Sequence, residues 1–372
     1  MQVDVRKMES PEAAELYIHA VPSPGAPVDQ QAAECFAAVA DLLREHDARI
    51  VEERIFARDG VIAQVTAARS SACGGLDDGV RPSLLAVPKG MQGELSGVLV
   101  HAVCGRQEPQ AVRLAGMACG RALDLPQGRY VTLSGLSEPG AGDRTAQARA
   151  MLEKSEAALA TAGGNFHSVV RTWMWLGDIL GWYGPFNGVR TQFFRERGLL
   201  NDAAGKRQLP ASTGIGVGPA GAGACAMDLV AMIRPEAQAD LLLASGDQNP
   251  AYDYGSAFSR ASRSPTPAGQ TVFVSGTAAI DCFGDTEHVG NIPAQVEATI
   301  RHVRAVLRDT QCNDDDVVDS LIYCKTDEVE AHYRRRWANE LPWPQIIVLS
   351  DICRPDLLFE IEAAAAPGAK RL

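Results

Sequence analysis

Long apolar runs are missing from this sequence, which nowhere contains eighteen consecutive apolar residues. The first residues, Met1 to Arg6, also lack the apolar stretch of a secretion signal. A transmembrane helix needs about 20 predominantly apolar residues, so we expect no membrane span. The simplest expectation is a cytoplasmic protein.

Clustered positive charge is scarce as well. The 372 residues include 35 Lys and Arg against 46 Asp and Glu, which gives a formal net charge of -11. Nucleic-acid binders need clustered cations to displace counterions, so this balance argues against a nucleic-acid partner. With 46% hydrophobic residues, the chain is nevertheless apolar enough to build several globular units.

Spacings typical of metal sites are absent too. The nine Cys are scattered without a C-x-x-C pair, and His288 has no second His near it. We therefore expect reduced thiols, no metal and no cofactor. The G-x-G-x-x-G match at 216–221 is interrupted by Pro219 and precedes no predicted helix, so it is a poor dinucleotide-binding signature.

What the sequence does contain is one pattern repeated three times. Each copy has a helix, a strand, a strand that begins after a proline, and a last alternating strand; Pro82, Pro210 and Pro344 occupy corresponding points. A repeat of small-domain length indicates tandem domains. We predict an α+β fold of three modules, 1–125, 126–240 and 241–372, that together form a pseudo-trimer.

Apolar periodicity predicts the elements of each module. Helices are predicted at 28–46, 145–162 and 293–309. Strands are predicted at 16–21, 49–56, 82–87 and 95–103, at 129–135, 169–176, 210–216 and 225–232, and at 270–276, 317–325, 344–349 and the end of 350–363. The aromatic stretch 181–194 is interpreted as an insertion in the second module.

Glu360 is the unusual residue of the third copy. It lies on an alternating strand at a position that corresponds to about Leu99 in the first copy and to Asp228 or Leu229 in the second. A carboxyl group on an inward strand position needs a function, whereas Glu360 could equally be the solvent-side member of an amphipathic strand.

Several arginines could complement such a carboxyl group by binding an anionic ligand. Arg171 interrupts an apolar strand, Arg190 follows the aromatic stretch, and Arg260 and Arg263 lie close together. Guanidinium groups bind carboxylates in a bidentate manner. Structural ion pairs within or between modules are the alternative for each of them. Cys353 has no adjacent His and is more plausible as a pocket wall than as a nucleophile.

The residues 275–278, the order of helix and strand, and the stretch 353–363 resemble the RidA/YjgF superfamily. Within it, the closer resemblance is to the chorismatase branch, which includes FkbO-like enzymes. The motifs that carry it are 171–173, Arg190, 210–216, 254–255, 258–261, 275–278 and the Glu360 strand, in the same order over roughly residues 130 to 366.

The resemblance implies that the chain removes the enolpyruvyl group of chorismate as pyruvate, with Glu360 as the catalytic acid. It also implies three YjgF/RidA-like modules in a pseudo-trimer, of which the first is degenerate, and a monomer that works without a cofactor. The substrate-binding residues implied are Arg171, Arg190, Thr213, Tyr254, Arg260, Gly276, Tyr323, Lys325 and Cys353.

The expected product is 3-hydroxybenzoate, because Gly276 and Cys353 match the aromatising members of that family. Alternatives are hydrolysis to a dihydroxycyclohexadiene carboxylate, or formation of 4-hydroxybenzoate. Two further hypotheses are a Rid-like enamine or imine hydrolase and a non-catalytic carboxylate-binding protein. The arginine of typical RidA enzymes would fall near Ile347, where this strand has none, and the aromatic residues 182–186 depart from FkbO-like chains.

Overall fold

Three mixed sheets, each covered on one face by its own helices, build the protein. The computed structural model describes residues 1–88, 94–201, 206–234 and 240–372. The described residues contain six α-helices and three large sheets. This confirms the predicted α+β class and the three tandem modules.

The first sheet has the strand order β13-β4-β3-β5-β2-β1-β21. Its main elements are β1 (Gln2–Glu9), β2 (Ala13–Val21), α1 (Val28–Glu45), β3 (Arg49–Ala57), α2 (Ile62–Cys73), β4 (Ser83–Ala86) and β5 (Leu95–Gly105). Two short strands from elsewhere in the chain, β13 (Gly218–Pro219) and β21 (Lys370–Arg371), extend its edges. The first sheet is therefore joined by backbone hydrogen bonds to segments of the other two modules.

The second sheet has the order β12-β9-β14-β8-β7-β6. Its elements are β6 (Gln110–Leu114), β7 (Met117–Leu125), β8 (Gly128–Leu136), α3 (Arg144–Thr161), β9 (Val169–Leu176), α4 (Tyr183–Glu196), β12 (Ala211–Ile215) and β14 (Cys225–Ile233). A separate two-stranded ribbon, β10 (Leu200–Asn201) and β11 (Lys206–Arg207), follows α4.

The third sheet has the order β15-β16-β17-β20-β18-β19. Its elements are β15 (Asp240–Leu242), β16 (Ala261–Thr266), β17 (Gly269–Ala278), α5 (Ile292–Asp309), β18 (Val317–Cys324), α6 (Asp327–Arg336), β19 (Ile346–Leu349) and β20 (Phe359–Ala365). None of the helices in the described ranges combines the length and apolarity needed to cross a bilayer.

Strand pairing repeats from module to module. The strand after the first helix pairs in parallel with a short strand, as β3 with β4, β9 with β12, and β18 with β19. The same strand pairs antiparallel with the long last strand, β5, β14 or β20. A parallel pair needs a long crossover, and helices α2, α4 and α6 supply it in the three modules.

The helices form where the sequence offers a cap and an apolar stripe. In α5, the Asn291 side chain accepts a hydrogen bond from the amide of Ala294 at 3.2 Å, and Pro293 occupies the first turn. Val296, Val303 and the other apolar residues of one face pack on the outer face of the third sheet. Each module thus has its own outer core.

The inner faces of the three sheets meet in one shared core. Phe56 of β3 packs edge-on against Trp175 of β9, with 5.9 Å between ring centroids, and Val348 of β19 belongs to the same buried cluster. Since all three modules contribute to it, the modules depend on one another for burial of apolar surface.

Two expectations about organisation need correction. The aromatic stretch 181–194 is no insertion, because it forms most of α4, the crossover helix with counterparts in α2 and α6. Strands β6 and β7 precede the predicted boundary at residue 126 but pair with β8 in the second sheet. The other bounds of the three modules stay a prediction.

Candidate active site

Glu360 lies on β20, the strand between β17 and β18. Its register partners are Ala278 on β17 and Tyr323 on β18. The residue is 4% exposed, and its side chain lines a cavity of about 150 Å³. Because both neighbouring strands are hydrogen-bonded to β20, the backbone that carries this carboxyl group is fixed.

The cavity lies between the second and third modules. The second module contributes Tyr183 and Asn187 from α4 and Ser212 and Gly214 from β12. The third module contributes the remaining lining residues, among them Tyr254, Ser256, Phe258, Arg260, Gly276, Cys353, Arg354 and Glu360. The cavity therefore exists only because the two modules meet.

Burial changes the acidity of Glu360. Loss of contact with water and, to a smaller extent, the charge of the nearby Glu362 together raise the pKa of this carboxyl group from 4.5 to about 8, against the opposing charges of Arg171 and Arg260. Near neutral pH the group holds a proton, which a general acid requires.

Gly276 leaves room for the Glu360 carboxyl group. A Cβ atom at residue 276 would stand 2.2 Å from Glu360 Oε1 and 3.0 Å from Thr213 Cγ2. The amide of Gly276 donates a hydrogen bond to Thr213 Oγ1 at 3.0 Å. This glycine is thus part of the wall that holds the carboxyl group in place.

Two guanidinium groups face the cavity. Arg260 donates to the carbonyl of Asn249 at 3.0 Å and to the hydroxyl of Tyr254. Arg354 donates to the carbonyl of Gly284 at 2.6 Å and lies 5.7 Å from the centre of the Tyr254 ring. Both cations are anchored by neutral acceptors, so their charge remains available to an anion.

Arg190 supports the cavity from behind. Its Nη2 donates to Asn187 Oδ1 at 2.6 Å, and it also hydrogen-bonds Tyr183. Burial lowers the pKa of Arg190, whereas Tyr183 opposes this effect. Arg190 is not among the described lining residues, but its two partners, Asn187 and Tyr183, are.

Arg171 lies elsewhere. It donates to Glu362 Oε2 at 2.9 Å and to Thr213 Oγ1 at 2.6 Å, with its guanidinium 4.5 Å from the centre of the Trp173 ring. Trp173 donates to Glu362 Oε1 at 2.8 Å. Arg171, Trp173 and Glu362 line a second, smaller cavity of about 20 Å³ in the shared core.

Of the site residues expected from the sequence, the structure brings together Tyr254, Arg260, Gly276, Cys353 and Glu360 around the cavity. Arg171, Arg190, Thr213, Tyr323 and Lys325 do not belong to the described lining. Tyr323 is buried in the shared core. Lys325 donates to the carbonyl of Pro355 at 2.6 Å and so supports the loop that precedes β20. Their expected contact with substrate stays a prediction.

Sequence reasoning missed Tyr183, Asn187, Ser256, Phe258 and Arg354 as individual site residues. Arg354 directly follows Cys353, and Tyr183 belongs to the aromatic stretch that was interpreted as an insertion, so the signals were present. Asn187 and Ser256 carry no such signal, because their position depends on how α4 and residues 251–256 pack against the third module.

Cys353 is a neutral wall of the cavity. Burial and, to a smaller extent, the neighbouring Glu360 raise the pKa of its thiol to about 12. A thiolate is the nucleophilic form of cysteine, so a neutral thiol is unsuited to covalent catalysis. The expectation that Cys353 acts as a wall agrees with this chemistry.

The strand register shows what stands at the Glu360 position in the other modules. Tyr323, Trp173 and Phe56 are equivalent, since each lies two residues after the start of its parallel pair. Their antiparallel partners are Glu360, Asp228 and Gly97. The expected match at Leu99 is wrong by two residues, because that strand was aligned by its apolar pattern alone.

The equivalent clefts of the other module pairs are filled. Asp228 accepts hydrogen bonds from Arg54 Nε at 2.9 Å, Ser83 Oγ at 2.6 Å and the amide of Gly135 at 2.7 Å. At Gly97, a Cβ atom would lie 3.1 Å from the side chain of Ile346 of the third module. Among these three positions, Glu360 is the carboxyl group that lines a described cavity.

A solved structure shares this architecture over most of its length. A crystal structure of a chorismatase matches with a TM-score of 0.59 and 23% sequence identity, over 78% of this chain and 88% of that chain. The chain shares its fold with that chorismatase. Neither a protein-family model nor a curated protein sequence matches it.

Shorter proteins match parts of the chain. A member of the YjgF family from Mycobacterium tuberculosis has 24% identity and a TM-score of 0.26, over 35% of this chain and 99% of that chain. The protein YJGH has 22% identity and a TM-score of 0.29, over 34% of this chain and 95% of that chain.

Proposed function

We propose that the protein is a chorismatase-type enzyme that releases the enolpyruvyl group of chorismate as pyruvate. The observation that carries this proposal is the buried Glu360 carboxyl group, protonated near neutral pH, at the wall of a cavity that also presents Arg260 and Arg354. A proton donor beside two cations suits an anionic substrate that must be protonated on carbon. The fold shared with a chorismatase supports the same conclusion.

Glu360 acts as the general acid. It transfers its proton to the methylene carbon of the enol ether, which becomes a methyl group, and the adjacent carbon becomes an oxocarbenium centre. A pKa of about 8 suits this step, since proton donors work best when their pKa lies near the operating pH. The carboxylate left on Glu360 then faces the positive centre and stabilises it.

Arg260 and Arg354 bind the carboxylates of chorismate. Both line the cavity, and both are held by neutral oxygen atoms rather than by acidic side chains. The Tyr254 ring is close to both, with its centre 5.5 Å from the Arg260 guanidinium and 5.7 Å from that of Arg354. This arrangement supports recognition of a dicarboxylate by two separate cations.

The product proposed is 3-hydroxybenzoate. After protonation, the ring hydroxyl oxygen attacks the adjacent ring carbon that carries the enolpyruvyl ether, the bond between that carbon and the ether oxygen breaks, and pyruvate leaves. The resulting epoxide opens at the carbon that first held the hydroxyl group, and the proton on the other carbon is lost as the ring becomes aromatic. The oxygen, which regains the proton it lost in the attack, remains at position 3 as the hydroxyl group. Attack of water would instead give a dihydroxycyclohexadiene carboxylate. Cys353 fills space beside Glu360 and supports the first route by leaving less room for water. No cofactor takes part, and a monomer is sufficient because the modules supply each other's interfaces.

The proposal is tested by incubating the purified chain with chorismate and assaying pyruvate. Wild type should release pyruvate. The rate of release by Glu360→Gln should be at least about a hundredfold lower, as is usual when a general acid is lost. Glu330→Gln is the matched control, because Glu330 is bonded to Arg334 on α6 and does not line the cavity. No pyruvate from wild type, or undiminished release from Glu360→Gln, would disprove the proposal.

Product choice is tested separately with Cys353→Ala. The smaller side chain should shift part of the product from 3-hydroxybenzoate to the dihydroxycyclohexadiene carboxylate, as measured by liquid chromatography. An unchanged product ratio would show that Cys353 does not control access of water. Gly276 is left intact in this test, since a Cβ atom there would displace Glu360.

A further inference from the structure

A second carboxyl group, Glu362, lies beside Glu360 on the same face of β20. Residues i and i+2 of a strand are about 7 Å apart, so the two side chains are neighbours in a buried environment. Glu362 is 4% exposed and accepts hydrogen bonds from Arg171 at 2.9 Å and from Trp173 at 2.8 Å. The Glu362 carboxyl group is therefore held by hydrogen-bond donors, whereas that of Glu360 faces the cavity.

Thr213 ties this pair to the wall of the cavity. Its Oγ1 accepts hydrogen bonds from Arg171 at 2.6 Å and from the amide of Gly276 at 3.0 Å, and its hydroxyl also hydrogen-bonds Glu362. Gly276 in turn touches the space occupied by the Glu360 carboxyl group. The four strands β9, β12, β17 and β20 are thus connected behind Glu360 by one set of polar contacts.

The donors decide which carboxyl group keeps a proton. Burial raises the pKa of both, and the charge of Arg171 opposes this rise at both. At Glu362, direct hydrogen bonds from Arg171, Trp173 and Thr213 stabilise the ionised form in addition. Two neighbouring buried carboxyl groups do not ionise together easily. Glu362 therefore carries the negative charge, and Glu360 keeps the proton.

We propose that Arg171 and Glu362 are positioning residues of the active site, which hold the negative charge on Glu362 and so reserve the proton for Glu360. Given the proposed function of Glu360, this assigns to Arg171 a position behind the acid in place of contact with the substrate. The pair also closes the wall between the cavity and the shared core.

Other groups near Glu360 do not supply that charge. Tyr323 of β18, Tyr183 of α4 and Cys353 of the preceding loop all have raised pKa values, because each is buried. They are neutral near neutral pH. The charges that act on Glu360 are those of Glu362, Arg171 and Arg260, and Arg354 lines the same cavity.

The test is a direct titration of Glu360 by infrared spectroscopy, in which the carboxyl band is isolated by subtracting the spectrum of Glu360→Gln. In Glu362→Gln, the negative charge is gone while Arg171 and Arg260 remain, so Glu360 should lose its proton at lower pH, by about one pH unit. For the Glu362→Gln protein, the spectrum subtracted is that of the double variant Glu360→Gln with Glu362→Gln. This readout needs no substrate, so it stands even if chorismate is not the substrate.

Kinetics provide the second readout. If the chain releases pyruvate from chorismate, the alkaline limb of kcat for Glu362→Gln should move to lower pH by the same amount, while KM stays within about twofold. The matched control is Glu53→Gln, since Glu53 is equally buried and is paired with Arg69 at 2.7 Å in the first module. That variant should leave the Glu360 titration unchanged.

A double variant guards against misfolding. Arg171→Met with Glu362→Gln removes both charges, and buried pairs replaced in this way are often tolerated. The Glu360 titration should then fall between wild type and Glu362→Gln. An unchanged Glu360 titration in folded Glu362→Gln would overturn the proposal. A large rise in KM of the double variant with an unchanged pH profile would also overturn it, because Arg171 would then be a substrate ligand.

Discussion

The proton on Glu360 stabilises the folded chain, because the buried carboxyl group binds a proton more tightly than the unfolded chain does. Between pH 4.5 and about 8 the folded form holds the proton and the unfolded form has lost it. This contribution is complete below pH 4.5 and is lost as pH rises through about 8.

Glu360→Gln should therefore gain stability relative to wild type as pH rises. The difference in free energy of unfolding should change by about 1.4 kcal/mol for each pH unit over this interval and then level off. Urea unfolding of both proteins at several pH values measures it. A difference that does not vary with pH would mean that Glu360 titrates like an exposed carboxyl group.

Gly276→Ala should disable the acid without unfolding the protein. The added Cβ atom would stand 2.2 Å from Glu360 Oε1, so the carboxyl group must move away from its position. Pyruvate release should fall at least about tenfold, because small displacements of catalytic groups are costly. Gly177→Ala is the control: its Cβ atom would lie 3.5 Å from the carbonyl oxygen of Ala224, an ordinary contact, and Gly177 does not line the cavity. Equal rates in the two variants would contradict the prediction.

The sequence predicts some site residues well and others poorly, for a physical reason. Glu360, Cys353 and Gly276 stand out as differences between copies or as motif positions. Arg171 also stands out, but its side chain points to the shared core, and only the packing of three sheets decides whether an inward side chain reaches the cleft or the core. The alternation of side chains along a strand predicts the face of the sheet on which a residue lies, but not what packs against that face.

Helix α4 carries one wall of the cavity, and its C-terminal half holds it in place. Phe193 is fully buried, lies 4.8 Å from Phe166 between ring centroids, and has the Arg197 guanidinium 3.7 Å from its ring centre. Phe193→Ala should lower the free energy of unfolding by about 3 to 5 kcal/mol, as measured with urea. The exposed Gln192→Ala serves as the control. A loss below about 1 kcal/mol would show that α4 does not depend on this contact.

The crossover helices α2, α4 and α6 were the elements least accessible to sequence reasoning. Helix α4 begins with Tyr183, Gly184 and Pro185, which are typical of a loop, and its apolar residues are large aromatics rather than a regular aliphatic stripe. Its helical state follows from the parallel pairing of β9 with β12, which requires a crossover. Helices α1, α3 and α5, the first helix of each module, are predicted correctly from the sequence, because their local helix preference agrees with their packing in the structure.

Across the whole molecule, equivalent acidic residues have different functions. Asp228 occupies the position of Glu360 in the second module but is paired with Arg54 in a filled cleft. Asp228→Asn should lower the free energy of unfolding by about 3 to 5 kcal/mol, because it leaves a buried Arg54 with a weakened partner. Pyruvate release per folded molecule should stay within about twofold of wild type. Loss of release without loss of stability would show instead that this cleft is catalytic.

The joining of three modules in one chain has a consequence for how the site could change over time. In a symmetric trimer of identical subunits, each substitution occurs three times, so a residue such as Arg54 that fills one cleft would fill all three. In a single chain the three positions equivalent to Glu360 carry Glu, Asp and Gly, and each module boundary can be altered alone. Two boundaries are therefore free to serve assembly of the protein, while the third retains an acid and the space for a ligand.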